Sequence, residues 1–266
     1  SNYSMPLGVV IDQTISIEDF EKLSIRQKDV ALLNCIVSDD IQESNLTQYQ
    51  NELNVESEEI TLEEMYLEGI TLAVKNDMYE IQCESEDFNR ICLQTKDMQW
   101  TEDNEYIVSF KIYSPTENSI FIQWNEGDVW KQKIISVTEG MNNVNFTIDY
   151  KNTDTLCMYF QKGTYQIGNL HYESSSEDAI DEVYQSGISG KSFLQMDTYE
   201  NNLITGTIET EKDSFLLFMI PFDKNWELYV DGKEAQLQQV DYGFMGSRIA
   251  AGNHAIKLDY VPDSNA

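Results

Sequence analysis

Histidine is almost missing: His171 and His254 are the chain's two imidazoles. A His-based metal centre or a Ser–His–Asp triad has little to draw on. Both residues read as structural hydrogen-bonders, His171 on a strand and His254 beside a tight turn. Basic residues are scarce too, 17 Lys+Arg against 47 Asp+Glu, for a net charge of -30. Such a surface repels phosphate backbones and anionic headgroups, which argues against nucleic-acid binding. Its ordinary use is solubility; its sharper use is holding a divalent cation. Proline numbers 4, while 41% of residues are hydrophobic and 11% aromatic. That composition builds a core and argues against wholesale disorder. No run of about 18 apolar residues occurs, so nothing in the sequence reads as a membrane-spanning helix. There is no basic-then-apolar leader at Ser1 and no initiating Met, so the chain reads as a piece of a longer protein.

Cysteine is limited to Cys35, Cys83, Cys92 and Cys157, with no C-x-x-C pair to suggest zinc or redox chemistry. Cys83 and Cys92 are spaced to face each other across a hairpin; the alternative is four buried apolar thiols. Glycine-rich phosphate loops are absent. Gly187-Ile188-Ser189-Gly190-Lys191 lacks the Walker spacing and reads as a loop.

What is present is mostly strand. The length, 266 residues, suits two domains. The first part reads as a helical lead-in. Ser16-Ile17-Glu18-Asp19 and Ser24-Ile25-Arg26-Gln27 are capping-box patterns, and Val30, Leu33 and Val37 recur behind the second at helical spacing. Between residues 38 and 64, nine acidic residues meet no Lys or Arg. That stretch reads as a solvated linker, with a loose helix near Glu63.

From about residue 70 the period becomes two. Tyr106, Val108, Phe110 and Ile112 alternate with Ile107, Ser109, Lys111 and Tyr113. Ile120, Ile122 and Trp124 alternate with Phe121 and Gln123; Val144, Phe146 and Ile148 alternate with polar residues. Turns such as Ser114-Pro115, Asn125-Glu126-Gly127-Asp128 and Glu139-Gly140 separate the runs. A second β unit follows Ser174-Ser175-Ser176-Glu177-Asp178. Within it, Asp231-Gly232 between two alternating runs predicts a type I′ hairpin. The expectation is a mainly β chain. Residues 1–64 form a helical lead-in and acidic linker, 65–176 a jelly-roll, carbohydrate-binding-module-like sandwich, and 177–266 a small immunoglobulin-like sandwich.

The aromatics carry the functional lead. Trp100, Trp124, Trp130 and Trp226 are joined by 15 Tyr. Sugar rings stack their C–H faces on indoles while amides and carboxylates take the hydroxyls. Trp124 and Trp130 flank one turn, with Asn125 and Asp128 between them, and make a sugar platform at a sandwich edge. The plainer reading puts Trp124 and Trp226 in the two cores. For a structural Ca²⁺, the turn carboxylates Asp87, Glu102, Asp103, Glu105 and Asp128 are the candidates, without EF-hand spacing. No other cofactor or metal is expected. Carboxylates are so numerous that no pair stands out as a glycosidase pair.

The run Ser214–Pro262 resembles the C-terminal soluble segment of YfhO-type bacterial membrane proteins. It carries Pro221-Phe222-Asp223, Trp226, Val230-Asp231-Gly232-Lys233, Gly243-Phe244-Met245-Gly246, Ala251-Gly252-Asn253-His254 and Leu258-Asp259-Tyr260-Val261-Pro262. Met5-Pro6-Leu7-Gly8 and Ile15–Ser24 resemble the stretch that opens the family's extracytoplasmic domain. Asn225 and Asn253 stand where the family often has Gly and Lys. The resemblance implies a polytopic parent with a C-type glycosyltransferase-like membrane core, acting on envelope polymers such as lipoteichoic acid. It implies an extracytoplasmic location at the bacterial cell membrane, with the membrane reached through helices outside this chain. The parent's own membrane core is the expected partner, with a cell-envelope glycan as the second. No catalytic residue carries over, so the chain is expected to be a non-catalytic accessory domain that positions a glycan or acceptor. The alternative is a structural or protein-interaction domain that braces the membrane core.

Overall fold

Alternating apolar residues bury one face of each strand, and two such sheets cover each other's apolar faces. The computed structural model describes residues 6–41, 46–60, 65–86, 89–94, 101, 103–149 and 155–262. Trp100, Asp87, Glu102 and the expected helix near Glu63 lie outside the described residues. The chain is mainly β and divides into two compact units, residues 54–180 and residues 1–53 with 181–266. The later boundary falls inside the helix Glu177–Ile188.

In the unit 54–180, one sheet runs in the order Gly140–Asp149, Asn104–Ser114, Gly163–Ser176, Met78–Cys83, Ile70–Lys75. Glu56–Glu59 adds to the Gly163–Ser176 strand. The second sheet runs Val129–Val137, Asn118–Glu126, Thr155–Tyr159, Arg90–Gln94, Met65–Glu68. From Met78–Cys83 to Gly163–Ser176 the chain crosses repeatedly between the sheets. The last strand lies between the first and third of this series, and the seventh between the second and fourth. This is the strand order of a jelly roll. Its core joins Tyr106, Val108, Phe110 and Ile112 of one sheet to Ile120, Ile122, Trp124, Leu156 and Met158 of the other.

The second unit also stacks two sheets, Gln195–Glu200, Leu203–Thr210, Gly252–Tyr260, Trp226–Val230, Lys233–Ala235 over Gly8–Ile11, Ser214–Pro221, Phe244–Ile249, Gln238–Val240. Residues 1–53, read from the sequence as lying ahead of both sandwiches, pack within this unit. The physical reason is the Ser214–Pro221 strand, whose Phe215, Leu216, Leu217 and Phe218 are all buried. Leu216 and Phe218 face the sandwich core, with Ile204, Ile208 and Leu228. Phe215 and Leu217 meet Val9, Ile11 and Ile36. A strand apolar on both faces needs cover on both, and the N-terminal segment supplies it.

Both capping patterns hold. Ser16 accepts from the Asp19 N–H at 3.0 Å, and Ser24 and Gln27 close a full capping box at the start of Ile25–Asn34. At the other end of that helix the Lys191 ammonium donates to the Leu33 carbonyl, as a cation at a helix C-terminus should. Asp231 and Gly232 take φ 54° and 76°, and Val230 pairs with Lys233 across them, as the I′ hairpin requires.

The hairpin disulfide is corrected. Cys92 bonds to Cys157, while Cys35 and Cys83 are buried thiols. Cys83 and Cys92 belong to different sheets, and Cys83 points into the core. Cys92 lies between the core residues Ile91 and Leu93, and Cys157 between Leu156 and Met158, so both point to the outer face.

Candidate functional site

The strand Asn118–Glu126 sends Ile120, Ile122 and Trp124 inward, which leaves Ser119, Phe121 and Gln123 outward. Partners directly opposite in register share that outer face. Phe121 stands opposite Tyr159 on one side and Ile134 on the other, and Tyr159 stands opposite Arg90. Phe121 is 43% exposed and Ile134 56%, and as direct cross-strand neighbours they form adjoining apolar surface.

Of these, Phe121 and Tyr159 floor a groove of about 620 Å³, within the range of small-molecule sites. Gln123 and Ser119 beside them supply amide and hydroxyl groups, and the buried Asn89 lies behind. One wall carries the ion pair between the Lys162 ammonium and Glu86, at 2.5 Å. Asn89 fixes the local backbone: its Oδ1 accepts from the Ser85 N–H at 3.0 Å, and its Nδ2 donates to the Ser85 carbonyl at 2.8 Å. Beyond Tyr159, Arg90 pairs with Glu68 at 2.9 Å and lies 5.3 Å from the centre of the Tyr66 ring. A side-chain hydrogen bond with Tyr159 holds the Arg90 guanidinium above its ordinary pKa.

The residues expected from the sequence separate. Trp124 is buried and stacks on Phe146 with ring centres 6.1 Å apart. Asn125 is buried; its Oδ1 accepts from the Thr155 N–H at 2.9 Å, tying two strands together. Asp128 is exposed in the turn. Trp130 is 56% exposed, opposite Asn125 and so on the groove's face of the sheet. Trp226 packs against the core of the other unit. The groove residues Phe121, Gln123 and Tyr159 were not singled out from the sequence, although Phe121 on the polar face of an alternating strand was a readable signal.

His254 is held at both ring nitrogens, Nδ1 2.8 Å from Asp231 Oδ2 and Nε2 3.0 Å from the Ala250 carbonyl. His171 Nδ1 lies 2.7 Å from the Asn169 carbonyl. Among the described residues, no group of three His, Cys, Asp or Glu is placed to hold a metal ion, and no helix is long and apolar enough to cross a membrane.

What this geometry does chemically is offer apolar surface with flanking amides, hydroxyls and a charged pair. The family described as bacterial membrane protein YfhO matches residues 1–264. A protein of Bacillus subtilis (strain 168), described as uncharacterized protein YfhO, is 23% identical over 266 residues. The alignment covers 98% of this chain and 29% of that protein, so the chain spans less than a third of the relative's length. Among solved structures, a variant of a family 29 carbohydrate-binding module superposes with a TM-score of 0.38 at 12% identity, over 45% of this chain and 92% of that one. An agarase does so at 0.36 and 10%, over 43% of this chain and 23% of that one. The match across nearly the whole chain places it: it belongs to the bacterial membrane protein YfhO family.

Proposed function

We propose that this chain is a non-catalytic glycan-holding part of its parent membrane protein, presenting a cell-envelope glycan or acceptor to a membrane-embedded glycosyltransferase core. The observation that carries the reading is the outward-facing groove with Phe121 and Tyr159 on its floor and Gln123 and Ser119 beside them. Aromatic and apolar floors take the C–H faces of sugars, and amides and hydroxyls take their hydroxyls. Trp130, about 13 Å further along the same face, lies near enough to report on the groove without forming its floor. The Cys92–Cys157 disulfide supports an oxidising compartment, hence the extracytoplasmic side of the membrane.

The test is retention of the chain on immobilised envelope polymers, teichoic-acid-type chains and peptidoglycan glycan strands among them, with and without Ca²⁺. Retention lost in a Phe121→Ala, Tyr159→Ala double variant supports the reading. Absence of retention on every polymer sinks it. The bracing alternative has an observation of its own: the edge strand Gln195–Glu200 exposes Met196 at 50% and Tyr199 at 69%, apolar surface of the kind that takes a protein partner.

A further inference from the structure

Strand register fixes which outward side chains of the second jelly-roll sheet fall into lines across it. One line runs Glu68, Arg90, Tyr159, Phe121, Ile134, each opposite the next. It crosses all five strands, from the edge strand Met65–Glu68 to the edge strand Val129–Val137. Neighbouring strands lie about 4.8 Å apart, so the line is about 19 Å long. The inter-strand step is close to the advance of an extended pyranose chain per sugar.

The adjacent line holds Tyr66, Cys92, Cys157, Gln123 and Gln132, in which the Gln123 Nε2 donates to the Gln132 Oε1 at 3.4 Å. The first line is therefore an apolar path over Tyr159, Phe121 and Ile134, with carboxamides along one side and the Lys162–Glu86 pair on the other. A path along the Asn118–Glu126 strand is poorer. From Phe121 it passes Gln123 to buried Asn125, whose amide is engaged with Thr155 and Gly127.

Resting on the glycan reading above, we infer that the ligand is a linear chain of about three or more sugars lying across the strands, one sugar per strand over Tyr159, Phe121 and Ile134. Because the line reaches both sheet edges, the site takes an internal stretch of polymer and does not need a chain end.

The experiment is calorimetric titration of this chain with linear probes of one to six units: β-1,4-linked glucose, β-1,4-linked N-acetylglucosamine, and poly(glycerol phosphate) carrying sugar substituents. For the bound series, Kd is expected to fall at least about tenfold from one unit to four and to level off beyond five. Blocking both ends of the longest probe leaves its Kd unchanged. Ile134→Ala weakens the six-unit probe about threefold or more while sparing the single unit. Trp130→Ala, about 13 Å along the strand from Ile134, leaves the ratio between the two intact. Kd independent of length, or a ratio moved by Trp130→Ala and not by Ile134→Ala, overturns the crossing path and leaves the glycan reading standing. No binding of any probe overturns both.

Discussion

Cys92 and Cys157 stand directly opposite on adjacent antiparallel strands, their Cα atoms 4.0 Å apart, in the line between Tyr66 and Gln123. The bond ties the strand that carries Arg90 to the strand that carries Tyr159. It closes a loop with a sequence separation of 65. Constraint of the unfolded chain by a loop of that length is worth about 3 kcal/mol or more. Replacing both cysteines by serine is expected to lower the thermal midpoint by several degrees, as is a reductant added to the unmodified chain. Alkylation of the unfolded, unreduced chain should label only Cys35 and Cys83. Four labelled cysteines would refute the pairing.

Asp241 lies at φ 49° in a turn, its Oδ1 accepting the Val37 N–H at 2.7 Å. Burial pushes its carboxyl up from 3.8 to about 6, against the Val37 hydrogen bond, which pulls it down. The folded state therefore holds this proton more tightly than the unfolded state. The group's contribution to stability is most favourable below the unfolded value, falls as pH rises through about 6, and is level above that. Asp241→Asn keeps the acceptor and the left-handed backbone but removes the buried charge. It is expected to stabilise the protein at neutral pH by about 2 kcal/mol and to flatten this slope in urea unfolding between pH 4 and 7. A variant no more stable than the parent at neutral pH would refute the account.

Two tryptophans six residues apart should behave as different kinds of residue. Trp124 fills the jelly-roll core against Phe146, so Trp124→Ala should cost about 3–5 kcal/mol in chemical unfolding. Trp130→Ala, on the open face, should stay within about 0.5 kcal/mol. A cost for Trp124→Ala as small as that for Trp130→Ala would mean the strand Asn118–Glu126 presents its faces the other way round.

Asp231 joins the I′ hairpin to the last strand, accepting from His254 and from the Ala255 N–H at 2.9 Å. The His254 hydrogen bond, with the Ala255 N–H behind it, holds the carboxyl below its ordinary value. Its contribution is present above the unfolded value and lost as pH falls through the lower folded one. Asp231→Ala and His254→Ala should each lower the thermal midpoint at neutral pH. The double variant should lose less than the sum of the two; strict additivity would show that the pair does not act as a unit.

Much of the fold was legible because local chemistry was consistent. Ser24 with Gln27 fixed a helix start, Asp231-Gly232 a hairpin, and the Ile120–Ile122–Trp124 stripe an inward face. Residues that report long-range pairing were not legible. Cys92 and Cys157 are 65 positions apart, and nothing local brings them together. The strand Gly8–Ile11, partner of Phe215–Phe218, has no alternation because both faces of its neighbour are covered. The hairpin at Asn76-Asp77, with φ 51° and 61°, lacks the glycine that marks such turns. The groove was half legible. The sequence pointed to this strand pair through its tryptophans, but Tyr159 reaches Phe121 only through sheet order, which periodicity does not encode.

The central claim is that the outer face around Phe121 holds a glycan. It is tested most directly by intrinsic fluorescence, because Trp130 sits exposed on that face and reports on it. In a titration with sugar-bearing teichoic-acid-type chains and peptidoglycan strands, the account predicts a saturable shift that Phe121→Ala abolishes and Tyr199→Ala leaves intact. A flat response across every polymer, or a shift that survives Phe121→Ala unchanged, would contradict it.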